Sequence, residues 1–216
     1  MRKISLSVLT IFTTFAFAVA CNQSNKEIPQ IETELLDTSN LKKAVFASGC
    51  FWCVEAIYES LKGVKEVYNG YAGGHTANPT YESSNTGKTG HAEAVEVWYD
   101  PTKISFKNLV DVYYASQNIE QVNGQGNDRG SQYRSIIFYQ NETEKKIIEE
   151  KIKVLTTKGF KVASEVKELN KFWMGEDYHQ NYERLHPNQG YIRSVSIPRL
   201  NTFKMKMPDL LKENQH

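Results

Sequence analysis

The stretch that most constrains the chain is Ser48-Gly49-Cys50-Phe51-Trp52-Cys53. Upstream, Ala44-Val45-Phe46-Ala47 reads as a short buried strand; downstream, Phe51, Val54, Tyr58 and Leu61 recur at helical spacing. Cys50 therefore falls at a strand-to-helix turn, at or near a helix N-terminus. The unpaired amides and the macrodipole there favour an anion, which predicts a lowered thiol pKa and a candidate nucleophile. Cys53 lies one helical turn on, close enough to close a disulfide after modest adjustment. Phe51 and Trp52 put apolar surface beside the sulfur. The alternative is a buried pair of small hydrophobes, because free cysteine packs well.

The 216 residues suffice for one domain with a sizeable core, and 40% hydrophobic with 24% charged residues is ordinary for a globular protein. A net charge of +1 argues against a nucleic-acid protein, which needs a concentrated basic face. His75, His91, His179 and His186 are scattered without metal-ligand spacing, so no metal is expected.

The first stretch reads as a leader rather than part of the fold. Arg2-Lys3 is a basic start, Ile4 to Ala20 an apolar run, and Ala18-Val19-Ala20-Cys21 resembles the lipobox of bacterial lipoproteins, with alanine where leucine usually leads. Residues 1–20 are thus expected to be a signal peptide, with Cys21 as the lipid-attachment residue and residues 21–40 as a polar spacer. The expected location is the membrane-anchored, periplasmic side of a bacterial envelope. An ordinary signal with a chance cysteine is the alternative. A catalytic domain is expected over 41–203 and a polar tail over 204–216.

In the domain, Gly63–Tyr68 is a strand candidate, and Asn69-Gly70 is either a hairpin turn or a kink. His75–Gly90 reads as a loop. His91–Tyr99 alternates: Glu93, Val95, Val97 and Tyr99 share one side. If that side packs inward, desolvation raises the Glu93 pKa and keeps it protonated near neutrality; otherwise Glu93 sits at the strand's open end in water. Ser105–Ser116 reads as a helix with Phe106, Leu109, Val110 and Tyr113 inward, Asn118–Gln132 as a functional loop, and Tyr133–Tyr139 as a strand. Asn141 with Glu144 marks a helix start, with Ile148, Ile152 and Leu155 on one face. Val162–Val166 is a further strand, and the chain from Leu169 reads as irregular. Asn141-Glu142-Thr143 fits a glycosylation pattern that a bacterial leader makes idle. The order predicts an α+β two-layer sandwich, helices on one face of a mixed sheet, with a ferredoxin-like core.

These residues together resemble the peptide methionine sulfoxide reductases of the A type. The matching stretches are Gly49–Trp52, Gly70–Gly74, Asn78–Tyr81, Thr89–Val95, Tyr99–Pro101 and Gln125–Ser135, with a weaker match at Tyr178-His179-Gln180 and Tyr182. The resemblance spans roughly 42–199. It implies that Cys50 is the nucleophile, that Glu93, Tyr81 and Tyr133 surround the sulfoxide oxygen, and that Phe51 and Trp52 cage the substrate methyl group. It further implies that Asp128 and His179 contact the substrate main chain or neighbouring pocket residues, and that the S epimer is the substrate. Many family members carry glycine where Cys53 stands and recycling cysteines near the C-terminus, which this chain lacks; Cys53 is then the available partner. Gln117-Asn118-Ile119 replaces the family's usual His-Asp-Pro.

The implied cycle leaves Cys50 as a sulfenic acid, which Cys53 converts to a disulfide for an external dithiol such as thioredoxin to reduce, without cofactor. The implied partners are oxidised proteins or free methionine sulfoxide, a thioredoxin-like reductant and, through Cys21, a membrane. A monomer is expected. Two rivals stand beside this reading: a thiol-disulfide oxidoreductase, and a lipid-anchored module that binds without turnover.

Overall fold

The structure, a computed structural model, describes residues 38–213. The expected signal segment, the Cys21 anchor and the spacer up to residue 37 lie outside the described residues.

Strand β1 (Lys42–Ala47) is buried on both faces from Ala44 onward, as a central strand must be. It leads through Gly49 into helix α1 (Phe51–Glu59). Phe51, Val54, Tyr58 and Leu61 point inward as their spacing predicts, and Tyr58 stacks on Phe46 of β1 at 4.9 Å. Strands β2 (Val64–Ala72) and β3 (Ala92–Tyr99) follow, joined by a loop that carries a short helix, α2 (Tyr81–Asn85). Helix α3 (Phe106–Ala115) is capped by Ser105, whose side chain accepts from the Asn108 N–H. After it come a two-residue hairpin, β4 (Gly124–Gln125) with β5 (Asp128–Arg129), then β6 (Ile136–Tyr139), helix α4 (Glu142–Thr157), β7 (Glu165–Glu168) and β8 (Phe172–Met174). The chain closes with α5 (Tyr182–Leu185) and α6 (Ile197–Lys206), the latter continuing a π-helical turn at Ile192–Ser196.

The main sheet has the order β7-β6-β1-β3-β2-β8, antiparallel except for the parallel β6–β7 pair. Because β3 lies between β1 and β2, the first unit is a split βαβ, the ferredoxin-like arrangement. The larger core packs the helices against one face of this mixed sheet through Phe46, Val95, Val97 and Tyr99; a smaller cluster around Ala47, Ala94 and Phe138 lies on the other face. Helix α1 is apolar almost all round because it packs on β2 and β3 on one side and on α5 and α6 on the other.

Several sequence expectations are corrected. Asn69-Gly70 is neither turn nor kink: β2 runs straight through, and β8 crosses so closely that a Cβ at Gly70 would sit 2.5 Å from the Phe172 ring. The 75–90 loop contains α2, whose capping box from Thr80 to Ser83 is local chemistry that the polar composition hid. Tyr133 is not in a strand; it ends a 3-10 turn at Ser131–Tyr133, and pairing starts only at Ile136. The expected strand at 162–166 is shifted to 165–168 by its register with β6. The stretch after Leu169 is not irregular, since β8 adds to the sheet edge and α6 covers α1. Nor is 204–213 a loose tail: Lys206 Nζ donates to the Ala115 carbonyl, and Leu211 bridges to Leu61.

Candidate active site

The turn before Cys50 is held from several directions. Gly49 has φ +74°, and a Cβ there would lie 2.6 Å from Gln125 Cβ, so the position requires glycine. The Tyr113 hydroxyl donates to the Ala47 carbonyl, the Ser48 hydroxyl donates to Gln117 Oε1, and Arg199 donates to both the Ser48 carbonyl and its Oγ. Cys50 consequently takes the N-cap position of α1, as its strand-to-helix placement predicts.

Across from it, β3 delivers Glu93 to the same end of the helix. Its inward alternation is real: the side chain is 2% exposed, and its Oε2 accepts the Phe51 N–H at 3.0 Å. Burial pushes its pKa up to about 8, against that hydrogen bond and with help from Asp128 nearby. A carboxylic acid is therefore kept neutral at physiological pH.

The cysteines depart from expectation. Burial raises the Cys50 thiol well above its ordinary value, and contact with Cys53 adds to this. Cys53 is instead drawn down to about 6, chiefly because the Cys50 thiol donates to it, with Arg199 assisting against burial. Burial thus works against the helix N-terminus at Cys50, and the two sulfurs lie close enough to hydrogen-bond to one another. Both sulfurs are free thiols, Cys50 6% and Cys53 1% exposed.

A cavity of about 270 Å³ is lined by Cys50, Phe51, Trp52, Tyr81, Glu93, Asp128 and Tyr133 together with Gln189 and Tyr191. Seven residues singled out from the sequence therefore converge. Phe51 and Trp52 form an apolar wall; Trp52 is clamped by Tyr182, stacked at 3.8 Å, and by the edge of Tyr191 at 6.1 Å. The phenols of Tyr81 and Tyr133 are held protonated, mainly by burial and then by the nearby Glu93.

His179 is not on the cavity wall. It lies behind it, packing on Phe51 at 4.8 Å and Tyr81 at 4.6 Å, and its Nδ1 accepts the Trp52 indole N–H at 3.2 Å. There it packs against the aromatic wall. Asp128 lines the cavity and accepts from the Tyr191 hydroxyl at 2.6 Å; the same hydroxyl lies 3.7 Å from Cys53 Sγ. Cys53 is not on this wall.

Sequence reasoning missed Tyr191, Arg199 and Glu176. Glu176 accepts from the Tyr81 N–H at 2.8 Å and from the Tyr71 hydroxyl at 2.7 Å, which fixes the start of α2. Glu176 sits in a turn with no local signal, whereas Tyr191 and Arg199 lie on a helical stretch with Ile192, Val195, Leu200 and Phe203 at helical spacing, a signal that marks the helix but not their roles. Among the described residues, no group of three or more His, Cys, Asp or Glu side chains is placed to hold a metal.

A soft sulfur nucleophile and a neutral acid facing one aromatic cavity are the working parts of a thiol-dependent reductase. The family model for peptide methionine sulfoxide reductases matches residues 42–210, and the chain belongs to that family. Peptide methionine sulfoxide reductase MsrA of Polynucleobacter asymbioticus is 41% identical over 174 residues, 79% of this chain and 92% of the relative. The MsrA of Nautilia profundicola is 45% identical over 163 residues, 76% of this chain and 94% of the relative. Among solved structures, methionine sulfoxide reductase A of Corynebacterium diphtheriae superposes with a TM-score of 0.64 at 33% identity, covering 69% of this chain and 77% of that one. Mxr1 of Saccharomyces cerevisiae in its reduced form gives 0.65 at 28% identity, covering 71% and 90%. The enzyme reduces methionine sulfoxide.

Proposed function

We propose that Cys50 attacks the sulfur of methionine S-sulfoxide, free or in proteins, while Glu93 protonates its oxygen. The observation that carries this reading is the neutral Glu93 on the same cavity wall as Cys50. A sulfoxide sulfur is electron-poor and its oxygen carries partial negative charge, so reduction needs a nucleophile at one atom and a proton at the other. As Cys50 Sγ attacks, its proton passes to the Cys53 thiolate. The oxygen, hydrogen-bonded by the Tyr81 and Tyr133 phenols, takes the Glu93 proton. Methionine departs, and Cys50 becomes a sulfenic acid. Phe51 and Trp52 receive the substrate methyl group, and Asp128, fixed by Tyr191, faces the substrate from the cavity rim.

Cys53 then attacks the Cys50 sulfenic acid, expelling water and forming a disulfide. An external dithiol of the thioredoxin kind returns both thiols, and no organic or metal cofactor takes part. The adjacency of the two sulfurs and the low Cys53 pKa support this step. A lipid-anchored repair enzyme of the bacterial envelope, tethered through Cys21, is the accompanying proposal. It rests on the leader sequence alone, and fatty-acid labelling of wild type against Cys21→Ala tests it.

The mechanism is tested by thiol chemistry. Cys50→Ser is expected to abolish turnover. Cys53→Ser is expected to release one equivalent of methionine and stop, with a dimedone adduct at Cys50. Turnover in the first variant, or sustained thioredoxin-driven turnover in the second, would contradict the assignment.

A further inference from the structure

Cys50 opens to the substrate cavity, but Cys53 opens elsewhere. Cys53 forms part of the floor of a second cavity, of about 490 Å³, between the C-terminal end of α3, the β4–β5 hairpin and α6. Gln117, Gln125, Arg199, Thr202 and Lys206 line it, and Cys50 does not. Asp128 lines both cavities, and Tyr191, whose hydroxyl donates to it, lines only the first.

We propose that the recycling dithiol enters through this second cavity and attacks Cys53 Sγ, leaving the substrate cavity to the sulfoxide. This rests on the reading that Cys50 and Cys53 form the disulfide. A thiolate attacks a disulfide along the extension of the S–S bond, so an attacker on Cys53 needs open space beside Cys53 that Cys50 does not share, and the second cavity, lined by Cys53 and not by Cys50, offers it. The basic groups on its walls draw a thiolate inward. Cys53 is nearly covered, so the attacking sulfur must be a small thiol or sit on a protruding segment of a dithiol protein.

The first donor thiolate bonds to Cys53 Sγ, and the electron pair of the broken S–S bond leaves on Cys50, which takes up a proton. The donor's second thiolate then attacks the donor sulfur of the mixed disulfide and releases Cys53 as a thiolate. The donor departs as a disulfide, having lost two electrons to the enzyme. Arg199 suits the second step. Three hydrogen bonds, to the Ser48 carbonyl, the Ser48 hydroxyl and the Ser116 carbonyl, fix its guanidinium, and its charge stabilises the departing Cys53 thiolate.

The test uses sulfoxide-oxidised full-length enzyme and a thioredoxin whose second active-site cysteine is serine. The trapped mixed disulfide is mapped by mass spectrometry after counting free thiols. The expected result is a thioredoxin adduct on Cys53. Thr202→Trp fills the mouth from an exposed position on α6, where the native hydroxyl bonds only Pro198 of the same helix. It is expected to slow disulfide reduction by thioredoxin at least tenfold, while single-turnover sulfoxide reduction by the pre-reduced variant is unchanged. An adduct on Cys50, or an undiminished rate in Thr202→Trp, would overturn the entry route alone. A free Cys53 thiol in the oxidised enzyme, with Cys50 held as a sulfenic acid, would overturn the disulfide reading and this route with it.

Discussion

Two buried carboxylic acids sit at α1, Glu93 against its N-terminus and Glu55 on the helix itself, and the difference between them shows what makes a site. Glu93 and Glu55 are 2% and 1% exposed, and burial raises both pKa values to about 8. Glu93 accepts the Phe51 N–H at 3.0 Å, and Glu55 accepts the Asn181 N–H at 2.8 Å with the Tyr182 backbone and the Asn69 amide beside it. In both, desolvation outweighs the hydrogen bonds. Glu93, however, faces a cavity that also holds a sulfur nucleophile, whereas Glu55 meets the backbone of the 181–182 segment that leads into α5. A perturbed pKa marks desolvation, and open space beside a reactive partner turns desolvation into chemistry.

Substitution by glutamine separates the two. Glu93→Gln keeps shape and burial but has no proton to give, so single-turnover sulfoxide reduction should fall by about 10² to 10⁴-fold, with substrate affinity nearly unchanged. Tyr133→Phe removes one of two donors to the sulfoxide oxygen; rapid-quench kinetics should show a loss of roughly 10-fold, smaller than for a lone oxyanion donor because Tyr81 remains.

Glu55→Gln should leave turnover within about 3-fold and act on stability instead. A group whose folded pKa lies above its ordinary 4.5 binds its proton more tightly in the native state, so native stability falls as pH rises from 4.5 to about 8. Wild type should lose on the order of 4 kcal/mol from this residue across that window, roughly 8 to 16 °C in Tm, and Glu55→Gln should flatten that slope in thermal melts at pH 5 and pH 8. A large turnover defect in Glu55→Gln, with no change in the pH slope, would erase the distinction between the two acids.

The central part of this arrangement was legible before any coordinates. The β1–α1 turn follows from a short apolar run, a glycine and helical spacing, all of them local. The inward face of Glu93 follows from strand alternation. The C-terminal third was not legible, because Tyr191, Arg199 and Glu176 gain their roles only when α6 and its preceding turns fold back over α1; the helical spacing of Ile192, Val195, Leu200 and Phe203 could have marked the helix, but not those roles. The balance of forces on the cysteines is also set by the tertiary fold. A helix dipole can be inferred from local sequence, while the burial that outweighs it at Cys50 depends on everything packed around α1. His179 shows the same limit: the motif implied a place near the pocket, and only tertiary packing puts it behind Trp52.

The most direct measurement is the pH profile of single-turnover kcat/KM for wild type and Glu93→Gln. The wild-type profile should be a bell, rising near 6 as the cysteine pair loses its first proton and falling near 8 as Glu93 ionises. In Glu93→Gln the plateau should drop and the alkaline limb should vanish. An alkaline limb that persists in the variant at an undiminished rate would contradict the assignment of Glu93 as the acid.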